Sequence, residues 1–508
     1  MMRIQAIKTG LFTALIILCV ALFLRNAPHI WDLQMWDETF YMAAGLFNWN
    51  HHFRHYEASP LYSYIYRMTW HFIHDPAILH LWMGVAVVAV AIIVTALSVM
   101  TISRSMAFTA IITVIMLASG YSEALPKLVY AAIAIISTGF AISTLLSRLH
   151  AKMACIALTT FIVSFIRPEF VVGFYLSSIA SVILLIASYR AIIQNRLQSS
   201  VTLGLLIIIA ILVKLWTFPL LSGGARALQA FGQHYSLYLF NIGKVTIDPF
   251  LNYEKILAEY LPGATSETDA LKKFPGSIFN YFIYNIESAI KAFFTAITDM
   301  AMNHTVVSVA IIALIVYCLI KRKHFSFNFG DTISWLFLAA PTAISIVLVF
   351  ASGHYLVIAA TLLMLFAALL VRSLGPRDTF VGAAAILILT AITVKPLPSA
   401  PQPHFETAMA LRSQTPFGTL LELDGGWCYY ASENCHSIYA IDIKSDNMVR
   451  YLDEDHINGV MVSAPLQQWA KENNLFQFTA FLENGASGWV KIPLSPDYTL
   501  LRRESLDT

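Results

Sequence analysis

Charge is scarce in this chain. Asp, Glu, Lys and Arg make up 12% of its 508 residues, about half the share found in soluble globular domains, which is roughly 25%. A chain so poor in charge, with 58% hydrophobic residues and a mean hydropathy of +0.67, is not an ordinary soluble domain. Internal repeats, low-complexity tracts and the ligand spacings of metal sites are also missing. The net charge of +2 is uninformative, because the charges are sorted by side rather than pooled. Of the 5 cysteines, Cys19, Cys155 and Cys318 fall in apolar runs and read as packing residues.

Long apolar runs take the place of charge. They recur at 10–25, 79–100, 106–120, 128–146, 153–166, 170–188, 201–218, 305–320, 332–350, 355–374 and 379–394. A helix of about 20 residues crosses a hydrocarbon core of about 30 Å. The expected fold class is therefore a polytopic α-helical membrane protein of eleven spans. Arg3 and Lys8, Arg104, Arg148 and Lys152, Arg190 and Arg196, Lys321 to Lys323, and Arg372 with Arg377 all fall on one side when the spans are threaded from an inside N-terminus. That places the C-terminus outside. The first run follows Lys8 like a secretory signal but lacks a small-x-small cleavage site, so it reads as a retained anchor.

Two expected domains follow. Residues 1–394 form the membrane domain, with outer loops at about 26–78 and 219–300. Beyond Lys395-Pro396-Leu397-Pro398 the chain alternates short strands (Thr419 to Leu423, Ser437 to Ile443, Gly459 to Ser463, Trp489 to Ile492, Tyr498 to Arg502) with helices (Val449 to His456, Pro465 to Asn473), a soluble α/β domain over 395–508. Acidic residues outnumber basic ones there by about two to one, as in a solvated outer domain and not in a nucleic-acid binder. Cys428 and Cys435 are close enough for a local disulfide, and two free thiols would give the same sequence.

The chemistry-bearing residues gather where polar groups approach the membrane. Trp36-Asp37-Glu38-Thr39-Phe40-Tyr41 sets two carboxylates at the start of an aromatic helix just past the first span. Asp37 is expected to cap a helix reaching about Asn48, with Tyr41 on the same face. A second interfacial helix is expected after Ser59-Pro60. Glu123 and Lys127, Arg167 and Glu169, Lys214, and His354 map to the outer ends of their spans, so one polar pocket at the outer boundary is expected. The planar fork of Arg167 suits a phosphate, and Lys127 and Lys214 offer the same charge. Glu57 with His234 is a carboxylate–imidazole pair of the kind a divalent ion takes, and such an ion is the one candidate cofactor.

The segments Asp37-Glu38-Thr39-Phe40-Tyr41 and Glu57-Ala58-Ser59-Pro60-Leu61-Tyr62 resemble the GT-C glycosyltransferases, in particular the branch of protein O-mannosyltransferases and aminoarabinose transferases. The resemblance covers about 1–394 through span number, topology and loop placement; the tail has no counterpart. It implies an inverting transfer of a sugar from a polyprenyl-phosphate donor on the periplasmic face of a bacterial inner membrane. The acceptor would be a lipopolysaccharide or other glycolipid, a glycan or a protein. Asp37 would be the base, with Glu38 its neighbour, Glu123 the second acidic position, and Arg167 and Lys127 would balance the departing phosphate. Where aminoarabinose transferases carry a Lys before a proline pair, this chain has Ala58-Ser59-Pro60. Reaction class carries over; substrate and the Glu57–His234 metal site do not follow from it. A lipid-linked glycan flippase would place charge at midplane on broken helices, and a glycan polymerase would lead with arginine-rich loops. A non-enzymatic scaffold would tolerate loss of both carboxylates.

Overall fold

In a computed structural model of the chain, residues 2–47, 59–187, 202, 204, 225–303, 328–349, 353–372, 380–393, 400–414, 418–423, 425–432, 435–443, 448–454 and 456–504 are described. They divide into two compact units. One comprises Met1–Asn26, Gly84–Ser222 and Gly276–Pro398, and the other Ala27–Met83, Gly223–Pro275 and Ser399–Thr508.

The first unit is helical. Among the described residues, 6 helices are long and apolar enough to cross a membrane: Met2–Leu24, Pro76–Ser103, Leu128–Leu145, Phe170–Ala187, Phe329–Leu348 and Gly353–Arg372. Shorter apolar helices run over Met106–Ala118, Leu149–Ser164 and Phe380–Thr393. The expected runs at 201–218 and 305–320 lie outside the described residues. The exterior is apolar, with Ile179, Ile183, Ile186, Leu389 and Ile392 exposed. Small and hydroxylic residues lie inside, as expected where lipid surrounds the bundle and close backbone approach drives packing. A Cβ at Gly139 would collide with Thr159, and Thr95 shares a hydrogen bond of 3.0 Å with Ser137.

One end of this unit holds a buried ion cluster. Lys152 Nζ donates to Asp331 and to the Ser143 carbonyl at 3.1 Å, while the Arg372 guanidinium reaches the other Asp331 oxygen at 3.3 Å. Lys152 and Arg372 are two of the cations the charge pattern assigned to a single side.

The second unit is mixed. Its five-stranded sheet has the order β2-β1-β3-β5-β4, with β1 Thr419–Glu422, β2 His436–Tyr439, β3 Gly459–Ser463, β4 Trp489–Ser495 and β5 Tyr498–Arg503. The first three pair in parallel and the last two antiparallel. Central β3 is buried along its length, as a strand covered on both faces must be. Leu421, Val460, Val462, Trp469, Phe478, Phe481 and Leu501 form the core. Edge strand β4 carries Pro493 and a register shift, features that blunt edge pairing.

Several elements differ from expectation, and the helices Pro403–Arg412 and Trp427–Ala431 stand where no element is assigned. β2 ends at Tyr439 in a short 3₁₀ turn, Ala440–Asp442. A helix covers Phe476–Asn484, where the sequence reading assigns no element. Asp37 is not a cap: Trp36 holds that position, and Asp37 opens a helix that runs Asp37–Leu46.

The tail is tied to the first loop inside this unit. Asp32 accepts from the His404 and Phe405 amides at 2.8 Å each and pairs with the His404 ring. Arg412 meets Asp75 at 2.7 Å. Asn252, from the second loop, donates to Glu472 at 2.9 Å.

Candidate functional site

The site is best built outward from Trp36. Its φ of 65° and ψ of −107° put a bulky residue in a region that few such residues occupy. Its amide donates to the Gly425 carbonyl at 3.0 Å, and its carbonyl accepts from Phe40 at 2.8 Å to open the helix. Asp37 and Glu38 then fill the first turn, where the helix dipole favours negative charge.

These two neighbours have opposite surroundings. Asp37 is exposed. Glu38 is 0% exposed and accepts from the phenols of Tyr62 and Tyr66, each at 3.1 Å. Both tyrosines sit on the Pro60–Trp70 helix, whose proline opens its first turn as expected. Burial first, and then the Glu38 charge, push the Tyr62 phenol well above its ordinary range. Burial and the neighbouring Tyr62 do the same to Tyr66. Both therefore remain proton donors to the carboxyl group. Tyr41 is buried, with its ring edge-on to Tyr62 at 6.0 Å. It lines the clamp between the two helices.

A second network holds the segment before the helix. Tyr430 donates to the Gln34 carbonyl at 3.0 Å, Thr39 donates to the same carbonyl at 2.8 Å, and His80 Nε2 accepts from the Gln34 amide at 3.3 Å. With Nε2 accepting, the proton lies on Nδ1, 3.0 Å from the Tyr430 hydroxyl; the tautomer is assigned from these partners. Glu422, at the end of β1, is buried and accepts from the Gly426 and Trp427 amides at 2.8 and 2.9 Å and from the Ser437 hydroxyl. This holds the Gly425-Gly426 turn against Trp36 and Thr39. Cys428 and Cys435 form a disulfide just beyond.

The remaining candidates divide by unit. In the helical unit, Glu123 is exposed on the Tyr121–Glu123 turn, and Lys127 is buried with Nζ donating to the Ser122 carbonyl at 2.7 Å. Arg167 pairs with Glu169 at 2.6 Å and lies over the Tyr355 ring, 4.7 Å from its centroid. His354 adjoins that ring at 4.3 Å. Tyr121 bonds Thr361 at 2.7 Å. The first half of the Gly353–Arg372 helix thus gathers both turns, and Lys127 and Arg167 are engaged within their own unit.

His234 belongs to the mixed unit, on the Ala225–Asn241 helix, edge-on to Phe250 at 6.3 Å. Burial lowers its pKa to about 4, leaving a neutral imidazole at pH 7. Among the described residues no three His, Cys, Asp or Glu side chains group as metal ligands. Glu57 and Lys214 lie outside the described residues.

Sequence reasoning missed Glu422, Tyr430, His80 and Tyr439. The run Gly425-Gly426-Trp427-Cys428-Tyr429-Tyr430 was their available signal, since paired glycines before clustered aromatics mark a close backbone approach. No protein-family model matches the chain, and no curated protein matches it.

Proposed function

We propose that this chain is a membrane-embedded glycosyltransferase that moves a sugar from a polyprenyl-phosphate donor to a hydroxyl group of an envelope acceptor, with Asp37 as base. The observation that carries this reading is the division of labour between two consecutive carboxyl groups. Glu38 is buried and bonded to Tyr62 and Tyr66, whereas Asp37 stands exposed at a helix start among aromatic side chains.

In the reaction, the acceptor oxygen forms a bond to the anomeric carbon from the face opposite the phosphate. The bond from that carbon to the phosphate oxygen breaks, its electron pair leaves with the polyprenyl phosphate, and the hydroxyl proton passes to Asp37. Configuration inverts. A positioned base contributes roughly 10²–10⁴-fold, and the lipid phosphate is a good enough leaving group to need little acid assistance. The apolar helices support a membrane location, and the charge pattern supports an inside N-terminus with the tail outside, in a bacterial inner membrane.

The test is mass spectrometry of envelope glycolipids, glycans and glycoproteins from cells carrying wild type, Asp37→Asn or a full deletion, with protein levels matched. Asp37→Asn is expected to lose the same sugar addition as the deletion. An unchanged envelope with Asp37→Asn, alongside an altered one in the deletion, overturns the reading.

A further inference from the structure

We infer that Trp36 and Tyr439 form a stacking platform for a sugar ring next to Asp37, so that the acceptor is a carbohydrate met partly by the C-terminal tail. The reaction assigned to the site rests on the function proposed above; the platform rests on its own geometry.

Trp36 is 43% exposed although its neighbours Leu33, Met35, Glu38 and Thr39 are buried. Its backbone is held at φ 65°, a conformation that a bulky residue keeps only where its surroundings enforce it. What enforces it is the tail. The Gly425 carbonyl takes the Trp36 amide, and Gly425 is itself at φ +62°. A Cβ there would stand 3.2 Å from the indole and 3.1 Å from the Tyr439 ring. Glycine therefore serves both the turn and the close approach. Tyr439, the last residue of β2, stacks on the indole at 6.2 Å with planes 21° apart.

An exposed, rigid indole backed by tyrosine and followed directly by a carboxylate matches carbohydrate. The face of a pyranose ring bearing C–H bonds stacks on an aromatic plane, while its hydroxyl groups need polar partners at the edge. An indole that merely anchors a membrane interface needs neither a strained backbone nor a glycine turn from another segment. Beneath the platform, the buried Glu422 carboxylate holds the glycine turn by accepting from the Gly426 and Trp427 amides.

The experiment uses the full-length protein purified in detergent. The probe is the oligosaccharide mixture released by mild acid from envelope glycolipids of the expressing host, followed by saturation-transfer-difference NMR. Wild type is expected to transfer saturation to ring C–H protons. Trp36→Ala and Tyr439→Ala are expected to weaken binding about tenfold, the scale of a lost aromatic stacking contact, with Trp36→Phe recovering part of it. Trp36→Leu guards against misfolding: it keeps an apolar side chain, and is expected to lose the signal at an unchanged thermal midpoint. No signal with wild type, or an equal signal in Trp36→Leu and Tyr439→Ala, overturns the platform. So does indole protection by sugar-free lipid vesicles but not by the oligosaccharides. This readout requires no turnover, so it is separate from the Asp37→Asn result in cells.

Discussion

At the scale of single residues, Asp37 and Glu38 differ because only one of them points at the Pro60–Trp70 helix. Tyr62 and Tyr66 are one helical turn apart, so both phenols reach the same carboxyl group. Removing one donor leaves a buried acceptor partly unmatched, which costs about 1–3 kcal/mol. Tyr62→Phe and Tyr66→Phe are each expected to lower the unfolding midpoint, and the double variant by more than the sum, because the second loss takes away the other phenol that the carboxyl group shares. Additive midpoints would argue against one shared clamp. His234 offers a pH test of the other loop. Its folded pKa of about 4 lies below the roughly 6.5 of an unfolded histidine, so the unfolded chain binds more protons between these values. Stability from a half-buried neutral ring is therefore complete above about pH 6.5 and declines as pH falls toward 4. His234→Phe is expected to flatten the midpoint-versus-pH curve in that window. The adjacent carboxyl groups were legible from the sequence; which one is buried was not, since that depends on tyrosines from another helix.

At the scale of elements, apolar runs translate well into helices because every backbone group in lipid must be satisfied within its own segment. Even the short run at 153–166 forms a helix, Leu149–Ser164. What charge patterning leaves open is which partner a cation finds. Asp331 sits at the start of Phe329–Leu348, its amide bonded by the Asn328 side chain at 3.2 Å, and draws in both Lys152 and Arg372. Taking away the carboxylate leaves a buried ammonium without its counter-charge, and such losses run to about 3–5 kcal/mol. Asp331→Ala is expected to lower the midpoint sharply, and Asp331→Leu combined with Lys152→Met to recover most of it. Failure of the paired apolar variant to recover would mean that the cluster sets helix register. The missed Phe476–Asn484 helix has another origin. Phe476-Gln477-Phe478-Thr479 alternates like a strand, but Phe478, Phe481 and Leu482 share one helical face against the core.

At the scale of the whole molecule, sequence reasoning divides the chain along its length, whereas packing draws the tail from Ser399 onward into one unit with segments 27–83 and 223–275. Nothing in composition marks that union, because it rests on pairings between residues hundreds of positions apart. Asp32 is the clearest of these. Burial would push its carboxyl up, but the His404 ring and the His404 and Phe405 amides together hold it below the usual carboxylate range. Arg412 acts likewise on Asp75, against the same effect of burial. Groups lowered in this way stabilise above their unfolded pKa of about 4, and the contribution is lost as pH falls through the folded value. The carboxylate ends of these ties are thus charged at neutral pH, and their contribution is lost in acid. Asp32→Asn keeps the shape at the Pro403–Arg412 helix start but removes the charge. It is expected to raise amide exchange at pH 7 both in that helix and in residues 27–36, since each half holds the other. Adding Arg412→Ala should extend the effect to the Gly425-Gly426 turn, which reaches Trp36 from the same tail. Faster exchange in the tail alone, with 27–36 unchanged, would mean that the first loop keeps its conformation without it, and the strained backbone of Trp36 would then need another cause.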